Sequence, residues 1–282
     1  QEDFTVALKY YRQILREHPN YGRIDEVMYY LGRAAIKAGK ANKDIVLQKE
    51  GVKRLNDLVQ RHPNSRFVAQ SHLALGEYFF ETDSLFYAKT NYEKIITNFA
   101  DSPMFNYALY KLGWVYFNLR EFRRTIETFQ NVVREITKAG GKAISFREQA
   151  LKDLIPAYAE LDRGWPEAKE YFTRYGQKKY YRKMLKRLAT IYYEQGKNEL
   201  VIQTYKTLIA EEPMAPDNPE YQDQIIKSYW ERDAFEEANR EIDEMLDQFG
   251  RSSRWAQANA DNNAALEEAD NLIEKNVRKA AV

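Results

Sequence analysis

Residues 58–65, LVQRHPNS, recur in altered form as residues 95–102, IITNFADS, and the two copies lie 37 residues apart. The same offset places Leu75-Gly76 on Leu112-Gly113. A fixed period in the thirties is typical of proteins built from stacked structural repeats. We therefore interpret the rest of the chain as variations on this repeat.

Each copy predicts two helices joined by a turn. The first helix carries the Leu-Gly pair, and the second carries a small or short residue twelve positions after the glycine, as Ala88 follows Gly76. Because glycine has no side chain and alanine only a methyl group, we expect Gly76 and the helix of Ala88 to approach closely.

This pattern resembles the tetratricopeptide repeat, a helix–turn–helix unit with small residues at its eighth and twentieth positions. The resemblance implies an all-α fold in which about six helix pairs form a right-handed α-solenoid. Followed outward, the pattern predicts one continuous array over residues 1–282 with half-repeats at both ends. Residues 1–17 resemble a second helix, residues 18–250 form the pairs, and residues 251–282 form one long polar terminal helix.

Two local departures from the period are visible. The turn His18-Pro19-Asn20 returns as His62-Pro63-Asn64 after 44 residues, which places a seven-residue insertion in the first full pair. We expect it in residues 38–43 and in a lengthened second helix near residues 44–50. The chain starts with Gln1 and ends in helix-forming residues, so we expect a processed or excised piece of a longer protein.

The amino-acid composition argues against several classes of function. The net charge is +1, from 43 basic and 42 acidic residues, which offers no general attraction to nucleic acid. No apolar run has the roughly 18 residues that a membrane span needs, so we predict no membrane insertion. The absence of cysteine excludes disulfides and thiolate chemistry and is compatible with an oxidising compartment.

The sequence contains little that would support a catalytic role. The three histidines are His18, His62 and His72, and the first two occupy the same position of successive turns, which favours a structural role. No pair of them has metal-ligand spacing. We predict a protein that is not an enzyme and that holds no cofactor or metal.

In the tetratricopeptide class, a binding groove is lined by the second, fifth, ninth, twelfth and thirteenth positions of first helices, with the glycine as eighth. When these positions are applied to this chain, the resemblance implies a partner-binding groove with the residues Tyr29, Arg33, Phe80, Tyr107, Tyr110, Trp114 and Phe117. Aromatic side chains bury much area at low entropic cost, which suits capture of a peptide or protein. The alternative is that neighbouring units bury these rings as core.

The stretch 178–187 carries six basic residues and two tyrosines. By the same positions Lys183 and Lys186 face the groove, which resembles the carboxylate clamp of chaperone-binding repeat proteins and implies an acidic ligand. The ninth position is Thr190, where the clamp has asparagine. The alternative is a solvated helix face balanced by nearby glutamates.

The turns and motifs such as residues 10–15, YYRQIL, resemble bacterial envelope tetratricopeptide proteins. These include outer-membrane assembly lipoproteins, cell-division coordinators and periplasmic proteins of gliding motility. The resemblance implies a non-catalytic protein-interaction scaffold in the periplasm. Two alternatives stay open: a cytosolic co-chaperone that reads acidic peptide ends, and a repeat region attached to a catalytic domain elsewhere. The oligomeric state is left open.

Overall fold

A computed structural model describes residues 4–139, 144–175 and 178–281 of the chain. Within these residues there are 15 helices and no strand. The helices are α1 Thr5–Glu17, α2 Ile24–Ala41, α3 Ile45–Arg61, α4 Val68–Glu81, α5 Leu85–Asn98, α6 Phe105–Asn118, α7 Phe122–Ala139, α8 Ile144–Ala159, α9 Gly164–Tyr175, α10 Lys178–Glu194, α11 Asn198–Glu211, α12 Asn218–Trp230, α13 Phe235–Phe249, α14 Arg254–Ala258 and α15 Asn263–Ala280.

The helices alternate as predicted. A second-type helix, α1, is followed by six pairs of one first and one second helix, from α2/α3 to α12/α13. The prediction of an all-α repeat solenoid is confirmed. Contacts between residues divide the chain into two compact units, residues 1–154 and 155–282. The single continuous domain stays a prediction.

The glycines of the first helices make room for a larger group than we expected. A Cβ on Gly76 would lie 2.6 Å from ring atom Cε1 of Tyr92, and one on Gly113 would lie 2.6 Å from Cε1 of Phe129. Tyr92 and Phe129 are both fully buried. The predicted close approach of Gly76 to the helix of Ala88 is confirmed, and the space beside the glycine is filled by the ring of Tyr92, one helical turn after Ala88 on the same helix.

The seven-residue insertion is shared by both helices of the first pair. Helix α2 has 18 residues and α3 has 17, against 14 in each of α4 and α5. Residues 38–41, where we expected an insertion before the turn, are helical. The two long helices can lie close together because Gly51 of α3 has no side chain. A Cβ at this position would lie only 2.5 Å from the carbonyl oxygen of Gly32 on α2.

The single long helix predicted from Arg251 onward is wrong, because α14 and α15 are separate. The indole of Trp255 is 1% exposed and donates to the carbonyl of Ala215 at 2.7 Å. The side chain of Asn262 then caps α15 by accepting from the backbone N–H of Ala265 at 3.2 Å. The buried indole and the new cap divide the segment, although its composition favours helix throughout.

None of the described helices is both long enough and apolar enough to cross a lipid bilayer. Among the described residues there is also no group of three or more histidine, aspartate and glutamate side chains arranged to hold a metal ion.

Candidate partner-binding site

Four aromatic side chains line one face of α6, and we call them the α6 aromatic surface: Tyr107, Tyr110, Trp114 and Phe117. Their spacing of three, four and three residues keeps them on one side of a helix. Tyr107 is 37% exposed and the other three are half-buried. The predicted cluster therefore exists as a partly exposed surface in the 1–154 unit.

The surface rests on a buried ring from the second helix of the same pair. Phe129 of α7 lies 5.7 Å from Tyr110 and 5.8 Å from Trp114, centroid to centroid. Because Gly113 has no side chain, Phe129 fits beneath α6. Trp114 in turn makes an edge-on contact with Phe117 at 5.5 Å. The rings are thus held in place before any partner arrives, which lowers the entropic cost of binding.

Tyr110 is also fixed by a hydrogen bond. Its hydroxyl donates to Oδ2 of Asp153 on α8 at 2.7 Å, and Asp153 accepts a second bond from Gln149 Nε2 at 2.9 Å. Asp153 is 6% exposed. Burial raises the pKa of Tyr110 to about 12, a bond from Trp114 opposes the shift, and Asp153 adds to it. The hydroxyl therefore stays protonated at neutral pH and serves as a donor.

Phe80 of α4 is joined to this surface by a lysine. The Nζ atom of Lys111 lies 4.9 Å from the ring centroid of Phe80 and 5.8 Å from that of Tyr107. An ammonium group over two aromatic faces is attracted to both. Burial, followed by the charge and hydrogen bond of Glu77, raises the pKa of Tyr107. The structure thus brings five of the seven predicted groove residues into one neighbourhood.

Tyr29 and Arg33 lie elsewhere in the same unit. Tyr29 is 7% exposed, and its ring stacks on Phe67 with centroids 4.8 Å apart. Arg33 donates from Nη1 to the Tyr29 hydroxyl at 3.1 Å. For Tyr29 the structure matches the alternative interpretation, in which the next pair buries the ring as core.

The basic stretch is largely engaged with its own unit, residues 155–282. Lys186 forms an ion pair of 2.8 Å with Glu220, and Lys183 is exposed. Arg182, whose side chain is 15% exposed, donates to Asp217 at 2.9 Å and lies over the ring of Tyr221 at 5.4 Å. The side chains of residues 178–180 lie outside the described part of the chain. A carboxylate ligand at Lys186 would compete with Glu220.

Three residues important to the site were missed from the sequence: Lys111, Phe129 and Asp153. Lys111 stands four residues after Tyr107, a spacing that brings side chains together on a helix, so it could have been found. Phe129 stands 37 residues after Tyr92, so the repeat period could have indicated it. Nothing in the sequence pairs Asp153 with Tyr110, 43 residues away.

The chain was compared with known proteins. Residues 107–135, which include the α6 aromatic surface, match the family model described as tetratricopeptide repeat. No curated protein matches the chain.

Solved structures give similarities over most of the chain. A tetratricopeptide repeat protein from Parabacteroides merdae has 15% sequence identity and a TM-score of 0.47, with 96% of this chain and 93% of that chain covered. A Rap protein in complex with competence and sporulation factor has 13% identity and a TM-score of 0.40, with 96% and 86% covered. The match of residues 107–135 to the family model confirms the predicted resemblance to the tetratricopeptide repeat for that segment.

Proposed function

We propose that this chain is a non-catalytic protein-binding scaffold whose α6 aromatic surface captures a protein or peptide partner. The observation that supports it is the set of half-exposed rings on α6, held from beneath by Phe129. Aromatic side chains that are rigid and partly exposed are the usual centres of binding energy in protein interfaces.

The partner contacts should centre on the ninth and twelfth repeat positions, Trp114 and Phe117. Tyr110 is committed to Asp153, so its polar end is already satisfied. Trp114 and Phe117 present apolar rings to each other and to solvent. An apolar side chain of the partner laid across the exposed parts of both rings would remove them from water.

The proposal extends to the cell envelope. Its support is the resemblance of the turns and of residues 10–15 to bacterial envelope repeat proteins, including those of gliding motility. We place the protein in the periplasm, with no nucleic-acid partner because its charge is balanced. A cytosolic co-chaperone that reads acidic ends is less well supported, since Lys186 is paired with Glu220.

A crosslinking pull-down from the source cells tests the scaffold role. The bait is wild type, the double variant Trp114→Ala with Phe117→Ala, or the control Phe86→Ala with Tyr87→Ala. Phe86 and Tyr87 are 72% and 65% exposed on α5, so the control also removes two aromatic rings. We expect the same partner with wild type and control, and its loss with the α6 variant.

Circular dichroism of all three proteins establishes that each is folded. Recovery of identical partners by all three folded baits would refute a binding role for this surface. Release of the protein by osmotic shock, followed by immunoblotting, tests the periplasmic location separately. A band that stays with the cytoplasmic fraction would refute that location and leave the scaffold role intact.

A further inference from the structure

A second candidate site lies in the 155–282 unit and is formed mainly by second helices. It is a cavity of about 540 Å³ between the end of α11, the end of α13 and the start of α14, and we call it the α11–α13 cavity. Its volume falls within the roughly 300–1,000 Å³ of typical ligand pockets. The residues that line it include Ile209, Met214, Glu244, Asp247, Arg254 and Trp255.

The floor of the cavity is apolar and rigid. Trp255 and Phe249 are 1% and 2% exposed and pack edge to face with centroids 5.5 Å apart. Hydrogen bonds from Trp255 to Ala215 at 2.7 Å and from Asn259 to the carbonyl of Met214 at 3.1 Å hold α14 against the loop before α12. The side chain of Met214 is 45% exposed at the edge. The floor is therefore present before a ligand enters, and the apolar side chains that remain accessible beside it are the half-buried Ile209 and the exposed Met214.

The walls of the cavity favour a positive charge. Glu244 and Asp247 are exposed on α13, and none of the ion pairs in the described part of the chain involves either of them. Glu241, one turn earlier, is 5% exposed and is held by Lys206 and by Gln222 at 2.8 Å. Burial disfavours the charge of Lys206, but Glu241 and the nearby Glu244 outweigh this and raise its pKa.

The backbone adds to the negative electrostatic potential of the cavity. Both α11 and α13 end at the cavity, and neither has a basic residue in its last turn. The carbonyl groups at a helix C-terminus act as about half a negative charge. Arg254 opposes this field at the edge of the cavity, and the described ion pairs do not include it. The balance is two unpaired carboxylates and two helix C-termini against one unpaired guanidinium and the N-terminus of the short helix α14.

We propose that the α11–α13 cavity binds a peptide segment of a partner protein in which an arginine or lysine stands beside large apolar side chains. The apolar groups would lie on Ile209 and Met214, next to the buried Trp255, and the cation would face Glu244 and Asp247. This site belongs to a different unit from the α6 aromatic surface and does not depend on it.

The test uses two synthetic peptides, acetyl-Gly-Leu-Arg-Leu-Gly-amide and the same peptide with Glu in place of Arg. The chain has four tryptophans, so the indole N–H signal of Trp255 can be followed by NMR in tryptophan-labelled protein. We expect the Arg peptide to shift that signal in a saturable way, and the Glu peptide to bind about tenfold more weakly. Equal affinities, or shifts confined to other tryptophans, would overturn the proposal.

Three variants test which charged residues determine the affinity for the Arg peptide. The double change Glu244→Gln with Asp247→Asn should weaken binding of the Arg peptide about five- to tenfold, since each exposed ion pair contributes a factor of up to about five. Arg254→Gln should strengthen it. The matched control Glu236→Gln with Asp243→Asn removes two charges from exposed positions of α13 that do not line the cavity, and should leave the affinity unchanged.

An equal loss with the control would mean only a general charge effect and would refute the site. A Trp255 signal that shifts with protein concentration alone would identify a second copy of the chain as the occupant and would also refute it. Circular dichroism confirms that the variants, all at exposed positions, remain folded.

Discussion

The first helices α6 and α10 show how one repeat position can serve different purposes. Tyr110 and Lys186 both occupy the fifth position, and each reaches an acidic residue on the next first helix, Asp153 at 2.7 Å and Glu220 at 2.8 Å. In both units the fifth position therefore connects successive pairs. The bonds differ in setting: Asp153 is 6% exposed, whereas the side chains of Lys186 and Glu220 are 42% and 50% exposed.

The two helices differ again at the ninth and twelfth positions. In α10 these are Thr190 and Tyr193, whose hydroxyl groups donate to the carbonyl of Lys186 at 3.0 Å and to Glu231. In α6 they are Trp114 and Phe117, which present large rings. The comparison teaches that the repeat determines where a side chain lies, and that the residue type decides whether the array uses it internally or leaves it for a partner.

The largest loss of stability should follow removal of the buried ring that supports each of these first helices. Phe129→Ala in the α6 pair and Tyr205→Ala in the α10 pair remove rings that are 0% and 4% exposed. Each should lower the free energy of unfolding by about 3–5 kcal/mol because a cavity remains. Urea denaturation followed by circular dichroism measures this loss.

The NMR signal of Trp114 in tryptophan-labelled protein then separates the two variants. Only Phe129→Ala removes the ring beneath Trp114, so only this variant should shift the indole N–H signal of Trp114 in the absence of urea. An equal shift in Tyr205→Ala would contradict the assignment of Phe129 as the local support.

A smaller loss in the free energy of unfolding is expected from Tyr110→Phe. The change keeps the ring but removes the donor to the buried Asp153, and a hydrogen bond to a buried charge contributes about 2 kcal/mol. Urea denaturation should show this loss, while the partner captured through Trp114 and Phe117 is retained. A variant as stable as wild type would mean that the bond is not formed in solution.

The exposed counterpart, Lys186→Met, should cost less than about 1 kcal/mol, because both charges of the pair remain largely hydrated. The cost should also shrink in high salt, which the loss in Tyr110→Phe should not do. Parallel urea curves at low and high salt measure both. A loss as large as that of Tyr110→Phe would remove the distinction between the two fifth positions.

The last effect concerns the stability of the protein at alkaline pH. Because burial raises the pKa of Tyr110 to about 12, the folded protein favours the neutral hydroxyl. Its stabilising contribution is complete below the ordinary tyrosine pKa of about 10 and is lost as pH rises through the folded value. Stability measured over this window should therefore fall more steeply for wild type than for Tyr110→Phe. Parallel pH profiles would contradict the shift.

The general fold could be predicted because its cause is local and repeated. The 37-residue period, the Leu-Gly pairs and the turns indicate helix pairs, and the order of the pairs followed from them. The details that failed depend on distant contacts. Residues 251–282 are divided because Trp255 reaches Ala215, 40 residues away, and helix propensity alone does not contain this contact.

For the candidate site, the sequence alone determined that Tyr107, Tyr110, Trp114 and Phe117 share one helix face, because the period of the helix is constant. Only the tertiary structure decided how deep each ring lies. Tyr29 stands at the same repeat position as Tyr110 but is buried by Phe67, whereas Tyr110 remains half-exposed beside Phe146. Spacing determines the direction of a side chain, but burial depends on which other helix covers it, and that contact forms only when the chain is folded.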